Sequence, residues 1–230
     1  HFQWYLKNRR PFVGIKVATS LNGIIAKTGD SRNWITGERA RSYGHWLRLH
    51  YDSILIGANT LIQDNPSLNI RYLKDKRTPL RIVLDPNAKA LLSRPIDLNN
   101  LIKIEPQKTI WCMYNHAWNN VPKHTRYKLE SYGVQKLHLY KKSKSDVIEQ
   151  ILEHLGSIGC VSMLVEGGGF TWRKFLDAQK VNKVHLFQSP QIFGGNDNIH
   201  WTDKLEKHKF KLKNIELSKL GEDLLIEGSL

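Results

Sequence analysis

A glutamate followed by three glycines, Glu166-Gly167-Gly168-Gly169, is the segment of this 230-residue chain whose residue types and spacing offer the most chemistry. The residues before it, 161–165, are mostly apolar and β-favouring, as suits a strand buried on both faces. Three glycines permit a tight turn and let backbone N–H groups come close to a ligand. Thr171 stands where a helix N-cap is expected, and Phe175, Leu176 and Ala178 supply the apolar face of the helix that follows. Orphan amides and the helix dipole make such a terminus attractive to an anion, phosphate above all. A purely structural turn, with the glutamate bonded to nearby amides, accounts for the same residues, and this segment alone leaves the two readings level. The spacing is neither the G-x-G-x-x-G dinucleotide fingerprint nor a P-loop, which needs Gly-Lys-Ser/Thr after its glycines.

The elements that must position this turn alternate between strand and helix. Strands are expected over 12–19, with Lys16 near the middle, and over 24–26, 53–57, 80–85, 109–114, 134–139, 161–165 and 183–187. Thr36 is placed to cap a helix running to about His50, and Thr60 a short helical turn that Asp64-Asn65-Pro66 stops. Ser145 caps a helix over 146–155, which Gly156 ends. Residues 86–108 read as loop and short helix. The tail reads as two strands, about 209–217 and 224–227, joined around Gly221; alternation of Lys207, Lys209, Lys211 and Lys213 with His208, Phe210 and Leu212 gives the first a basic face. The implied fold class is α/β: a mostly parallel central sheet covered on both faces, three layers in all, with a C-terminal antiparallel pair. Residues 1–10 form a lead-in or linker and 11–230 a single domain. Ligands in such sheets lie at the carboxyl ends of the strands. That rule gathers Thr19-Ser20, Gly57 to Thr60 and Glu166 to Gly169 on one rim.

Composition narrows the partners. A formal net charge of +14 suits a nucleic acid, or a phosphorylated substrate together with a phosphorylated cofactor. The lysines are dispersed, and no RNA-recognition, helix-turn-helix or zinc-finger pattern turns the charge into specific readout. No apolar run approaches the roughly 20 residues that span a bilayer. Cys112 and Cys160, the two cysteines, lack metal-ligand spacing and read as buried free thiols of a reducing cytoplasm, with no metal site and no disulfide.

The ordered motifs carry a resemblance over about residues 9–227. Arg10-Pro-Phe-Val-Gly-Ile-Lys-Val-Ala-Thr-Ser-Leu-Asn-Gly23, Trp34-Ile-Thr-Gly37, Asp52-Ser-Ile-Leu-Ile-Gly57, Thr60 before Asp64-Asn-Pro66, Arg81-Ile-Val-Leu-Asp85, Val165-Glu-Gly-Gly and Ser189-Pro-Gln-Ile-Phe-Gly-Gly195 follow one another in this sequence. They resemble the reductase half of the bacterial bifunctional riboflavin-biosynthesis deaminase/reductase, which has a dihydrofolate-reductase-like fold.

The resemblance implies NADPH-dependent reduction of the ribosyl group of 5-amino-6-(5-phosphoribosylamino)uracil to a ribityl chain, in a cytoplasmic homodimer. It implies substrate contacts at Lys16, Arg48, Leu68, Arg71 and Glu166, the two arginines suiting the substrate's phosphate. Lys16 and Glu166 are the implied ionisable groups for positioning or proton handling. Cofactor contacts are implied at Ala18, Ser20, Trp34, Thr60 and Asp64, with Gly167, Gly168 and Gly169 as the phosphate-binding loop. Two positions depart from the family pattern. Arg32 stands where a serine is usual, with Ser31 one step back, and the usual Asp-Asp-Pro triplet is Asp64-Asn65-Pro66. The deaminase signature, H-x-E followed by P-C-x-x-C, does not occur in these residues, so the chain is either the C-terminal domain of a longer protein or a stand-alone reductase. Two other readings remain: a reductase of the same fold acting on a pterin-like heterocycle, and a non-catalytic basic nucleic-acid-binding domain.

Overall fold

The computed structural model describes residues 1–27, 34–70, 77–93, 96, 99–141, 146–196, 198–203, 205 and 210–230. Its centre is a nine-stranded sheet in the order β10-β11-β8-β1-β7-β3-β4-β5-β6. The strands are β1 (Phe12–Thr19), β3 (Ser53–Gly57), β4 (Leu80–Leu84), β5 (Thr109–Tyr114), β6 (Gln135–Leu139), β7 (Ser162–Val165), β8 (Lys183–Gln188), β10 (Lys213–Leu220) and β11 (Asp223–Ser229). Pairings from β8 through β6 are parallel, whereas β11 runs antiparallel to β8 and β10 to β11. Strands β2 (Ile24–Lys27) and β9 (Asn198–His200) form a separate antiparallel ribbon.

Alternation along each strand divides the core into layers. On β3, Leu55 packs with Val13, Ile15 and Val17 of β1 and with helices α8 (Val147–Ser157) and α9 (Gly169–Asp177). Ile54 and Ile56 point the other way, toward α3 (Ala58–Asp64), α4 (Lys89–Ser93), α5 (Asn100–Lys103), α6 (Asn115–Asn120) and α7 (Lys123–Ser131). Helix α2 (Glu38–His50) places Ala40 and Leu47 against Leu164 and Phe187 on that second face. Helix α8 shows why it docks where it does: Ile148, Ile151, Leu152 and Leu155 fall on one helical stripe and are all buried. These are the three layers expected. The chain steps outward from β1 to β6 with helices on one face, then returns to β7 and β8 on the other, so its direction reverses beside β1. That reversal is where open α/β sheets leave a crevice.

Several local expectations are corrected. Gly37, not Thr36, occupies the N-cap of α2, and Gly168, not Thr171, that of α9. Thr60 lies inside α3. The expected lead-in is helical: α1 (Phe2–Asn8) sets His1 on the rings of Phe12 and Tyr51, at 4.6 and 4.8 Å, and donates the Tyr5 hydroxyl to the Gly156 carbonyl. Residues 86–108 fold as α4, α5 and a 3₁₀ turn over Pro106–Lys108, and the segment before β6 holds α6 and α7, which periodicity did not disclose. Of the expected basic strand, the described residues 210–212 are not strand, since β10 begins at Lys213; Lys207, Lys209 and Ser145 lie outside the described residues. Cys112 and Cys160 are free and buried, and burial pushes both thiols upward, Cys160 to about 11.

Candidate active site

The carboxyl ends of β1, β3 and β7 meet where β7 passes into α9. The Glu166 amide donates to the Leu55 carbonyl, extending the parallel ladder by one residue before the glycine turn begins. Thr171, fully inside the first turn of α9, explains two of the glycines around it. A Cβ at Gly57 would stand 2.5 Å from its Oγ1, and one at Gly167 2.5 Å from its Cβ. Helix α9 therefore sits close on the strand ends. Gly168 differs: its φ of −76° and ψ of 176° are open to any residue, and a Cβ there would meet only Thr60 Oγ1, at 3.7 Å. What Gly168 leaves open is space beside the backbone. Its amide donates to Thr60 Oγ1 at 3.1 Å, tying α3 to the turn, while the next two amides, of Gly169 and Phe170, are first-turn donors without intrahelical acceptors. Ile25 of the β2–β9 ribbon lies against Gly169.

Beside this turn lies a partly buried charged cluster. Arg48, in the last turn of α2, closes a bidentate pair on Glu166: Nε donates to Oε1 at 2.6 Å and Nη2 to Oε2 at 2.7 Å. Its Nη1 donates to the backbone carbonyl of Asn69 at 3.0 Å. Lys16, half-buried, lies in the same region, with Nζ 5.5 Å from the centre of the Phe187 ring. Burial pushes Lys16 below the ordinary lysine value; the charge of Glu166 opposes that shift and Arg48 reinforces it. Burial works to raise Glu166, but the charge and hydrogen bonds of Arg48, with Lys16 and His45, hold it below the usual carboxylate range. The cluster is therefore a carboxylate facing three basic groups, one of them a lysine whose proton is loosened.

The segment after α3 is bent to reach this cluster. Asn65 and Leu68 both take left-handed backbone, at φ 43° and 51°, which costs a leucine on the order of 1 kcal/mol or more. The turn buries Leu68 and carries the Asn69 carbonyl to Arg48. Asn65 pins the bend by accepting from the Asn100 amide and side chain.

The residues named from the sequence thus fall into groups. Lys16, Arg48 and Glu166 come together, with Leu68 beside the residue that binds Arg48. Thr60 touches the glycine turn, and Asp64, exposed, lies one turn further along α3. Ala18 and Ser20 occupy the end of β1; Ser20 Oγ donates to Asn22 Oδ1 and accepts from the Ile24 amide, and the loop is tied to residues 191–193. Trp34 is 72% exposed with the Arg41 guanidinium over its ring, so it is not a core residue. Arg71, Ser31 and Arg32 lie outside the described residues. Sequence reading missed His45, Phe187 and Asn69. His45 carried a signal, since it precedes Arg48 by three positions and so shares its helix face.

Comparison with known proteins places the chain in a family. The chain is 30% identical over 226 residues to the riboflavin biosynthesis protein RibD of Aquifex aeolicus, covering 98% of this chain and 59% of that protein. The chain thus spans about three-fifths of that relative's length. A solved Thermotoga maritima structure, titled as a diaminohydroxyphosphoribosylaminopyrimidine deaminase/5-amino-6-(5-phosphoribosylamino)uracil reductase, superposes with a TM-score of 0.73 at 32% identity, over 99% of this chain and 59% of that one. Acinetobacter baumannii RibD shares the fold with a TM-score of 0.81 at 21% identity, over 100% of this chain and 61% of that one. The RibD C-terminal domain profile matches residues 11–226, from just before β1 into β11, and the chain belongs to that family.

Proposed function

We propose that this chain is a reductase domain of riboflavin biosynthesis, reducing the ribosyl group of 5-amino-6-(5-phosphoribosylamino)uracil to the ribitylamino product with NADPH. The observation that carries the reading is the partly buried Lys16–Glu166–Arg48 cluster placed directly beside an open glycine turn at a helix N-terminus. The family match and the activity named for the Thermotoga protein supply the reaction.

The turn suits a dinucleotide phosphate. Open space flanks Gly168, the first-turn amides of α9 have no intrahelical acceptors, and Thr60 fixes the turn from α3. Gly167, Gly168, Gly169 and Thr60 would hold the pyrophosphate, with Ala18, Ser20, Trp34 and Asp64 assigned to the remainder of the cofactor. NADPH, when bound, supplies the hydride, and the protein supplies orientation and electrostatics.

The substrate's own chemistry requires a proton as well. Opening the ribose ring moves a proton from the glycosidic nitrogen to the ring oxygen and leaves a C1′=N bond; C1′ then takes the hydride and the nitrogen regains a proton. Lys16 is the group suited to deliver and recover a proton, because burial has lowered its affinity for one. Glu166, kept ionised by Arg48, binds and orients the polar substrate through acceptor contacts. Leu68 and Arg71 complete the substrate side.

Two further elements belong to the proposal. The edge strand β10 is exposed on both faces, with Ile215 57% and Leu217 65% accessible, which supports pairing with a second copy. An upstream deaminase domain in the full protein agrees with the length of the relatives. The protein is assigned to the cytoplasm, where two buried thiols stay reduced; no described helix is long and apolar enough to cross a membrane.

The test is NADPH oxidation followed by absorbance with the phosphoribosylaminopyrimidine as substrate. Turnover with a preference for NADPH over NADH is expected, and absence of substrate-dependent oxidation overturns the reading.

A further inference from the structure

We infer that Phe187 is a positioning residue for Lys16, its ring steadying the lysine ammonium at the site and favouring the charged form. The inference rests on the reductase reading above, in which Lys16 handles the proton. Strand β8 alternates, sending Val184 and Leu186 into the core that α8 and α9 cover, and Phe187 toward α2. In register, Lys16 of β1 stands opposite His185, and Ala18 opposite Phe187. Phe187 is thus the diagonal neighbour of Lys16, and the small side chain of Ala18 leaves room for ring and lysine to meet. Lys16 Nζ lies 5.5 Å from the ring centre, within reach of a cation–π contact. Helix α2 passes over the lysine stem, since a Cβ at Gly44 would stand 3.8 Å from Lys16 Cε. The ring is itself held in place: it is buried, with Leu47 in the same cluster and the Tyr43 ring 6.0 Å away.

An aromatic face differs from a carboxylate or a carbonyl as a partner for an ammonium. It attracts the charge through its quadrupole without claiming a particular N–H, so the donors of Lys16 stay available to a substrate. It also acts on the charged form alone, and so opposes burial, which loosens the lysine proton. The other groups acting on Lys16 divide by sign. Glu166, at the end of β7, works with the ring, and Arg48 of α2 works against it. Those two are closed on each other at 2.6 and 2.7 Å. His45 of α2 acts on Glu166, and His185, beside Lys16 on β8, is bonded to Tyr51 and Glu227. Without the ring, Lys16 is less well placed and gives up its proton at lower pH.

The experiment compares wild type with Phe187→Leu, Phe187→Tyr and a series of ring-fluorinated phenylalanines placed at position 187. Fluorine keeps the shape of the ring while draining, and finally reversing, the negative charge of its face. Each protein is assayed on the phosphorylated substrate and on its dephosphorylated counterpart. A positioning role predicts that Phe187→Leu lowers kcat about tenfold, the order of a partly desolvated cation–π contact, and by the same factor on both substrates. The alkaline limb of kcat, where Lys16 loses its proton, moves to lower pH. Phe187→Tyr, which keeps the ring, restores both, and kcat declines in step with fluorination. NMR titration of labelled lysine Nζ, assigned through Lys16→Arg, gives a readout independent of turnover: the Lys16 midpoint falls progressively along the fluorinated series. A midpoint that does not move, or Phe187→Leu with wild-type kcat and an unmoved limb, overturns the inference, because a ring that merely fills space would give those results. Wild-type protein inactive on both substrates sinks the reductase reading instead, and the lysine titration still decides whether the ring holds the charge. Melting temperature identifies a leucine variant that has failed to fold, in which case the fluorinated series carries the comparison.

Discussion

The amide of Gly168 donates a hydrogen bond to the hydroxyl of Thr60 at 3.1 Å, so the glycine turn is held from α3 as well as from its own helix. Thr60→Val keeps the shape of the side chain and removes that acceptor. A net hydrogen bond is worth about 1 kcal/mol, so NADPH affinity is expected to fall roughly fivefold. Cofactor titration checks this, with melting temperature as the control. Unchanged affinity would detach the Thr60 contact from cofactor binding.

Gly167 and Gly168 are expected to respond differently to alanine. At Gly167 the new Cβ would stand 2.5 Å from the Thr171 Cβ, a backbone-anchored atom, and overpacking of that kind costs about 1–3 kcal/mol of stability. At Gly168 neither the backbone angles nor the neighbours forbid a methyl group. Gly168→Ala should keep its melting temperature yet bind NADPH more weakly, because the methyl enters the space proposed for the pyrophosphate. Normal affinity in that variant would return the turn to a purely structural role.

Arg71, assigned to the substrate side, should leave a kinetic signature of its own. If it holds the substrate phosphate, Arg71→Ala loses charge-assisted bonds worth roughly 1.5–3 kcal/mol each, or on the order of ten- to a hundredfold. The phosphate is remote from the carbon being reduced, so the loss should appear mainly in KM, and only with the phosphorylated substrate. Equal kinetics on both substrates would remove Arg71 from that role.

Beneath the sheet, Gly14 leaves room for a buried polar chain. The Tyr51 hydroxyl is bonded to His185 Nε2 at 2.8 Å, and His185 Nδ1 to Glu227 Oε1 at 2.5 Å. A Cβ at Gly14 would fall 2.1 Å from the Tyr51 hydroxyl oxygen. Gly14→Ala is therefore expected to destabilise the fold by about 1–3 kcal/mol, measured by denaturant unfolding.

The same chain of groups gives stability a pH dependence. Burial holds His185 below its ordinary value of 6.5, with Glu227 opposing and Lys183 reinforcing the shift, while His185 and Lys183 keep Glu227 below the usual carboxylate range. As pH falls through 6.5, the unfolded chain takes up a proton at His185 first, and stability declines. Through the carboxylate range the unfolded chain again binds its proton first at Glu227, so the second contribution has the same sign. Tyr43 and Tyr51, the other titratable groups facing Glu227, are pushed upward and stay neutral in this window. Unfolding free energy measured against pH should fall on acidification, and less steeply in His185→Gln.

How much of this was legible in the sequence depends on the range of the interaction involved. Strands such as Ser53–Gly57 and Thr109–Tyr114 lie where their apolar runs end, because burial on both faces writes a continuous hydrophobic signature into consecutive residues. Glu166 with its glycines was visible for the same local reason. The caps were misread: Thr36 and Thr171 have the right chemistry for N-caps, but packing set the helix starts elsewhere, and Thr171 is spent filling the space that Gly57 and Gly167 leave. Helices α6 and α7 are short and weakly patterned, and they exist because the second face of the sheet must be covered.

Which charges face one another was decided only in three dimensions. Arg48 and Glu166 are 118 residues apart, and nothing in either neighbourhood names the other. Their pairing follows from α2 lying across the strand ends and from burial that leaves each charge no better partner. The sequence determined the elements and the residue types of the site. Tertiary structure determined that its arginine would pair with the glutamate, because a charge withdrawn from water is costly unless it is paired and hydrogen-bonded.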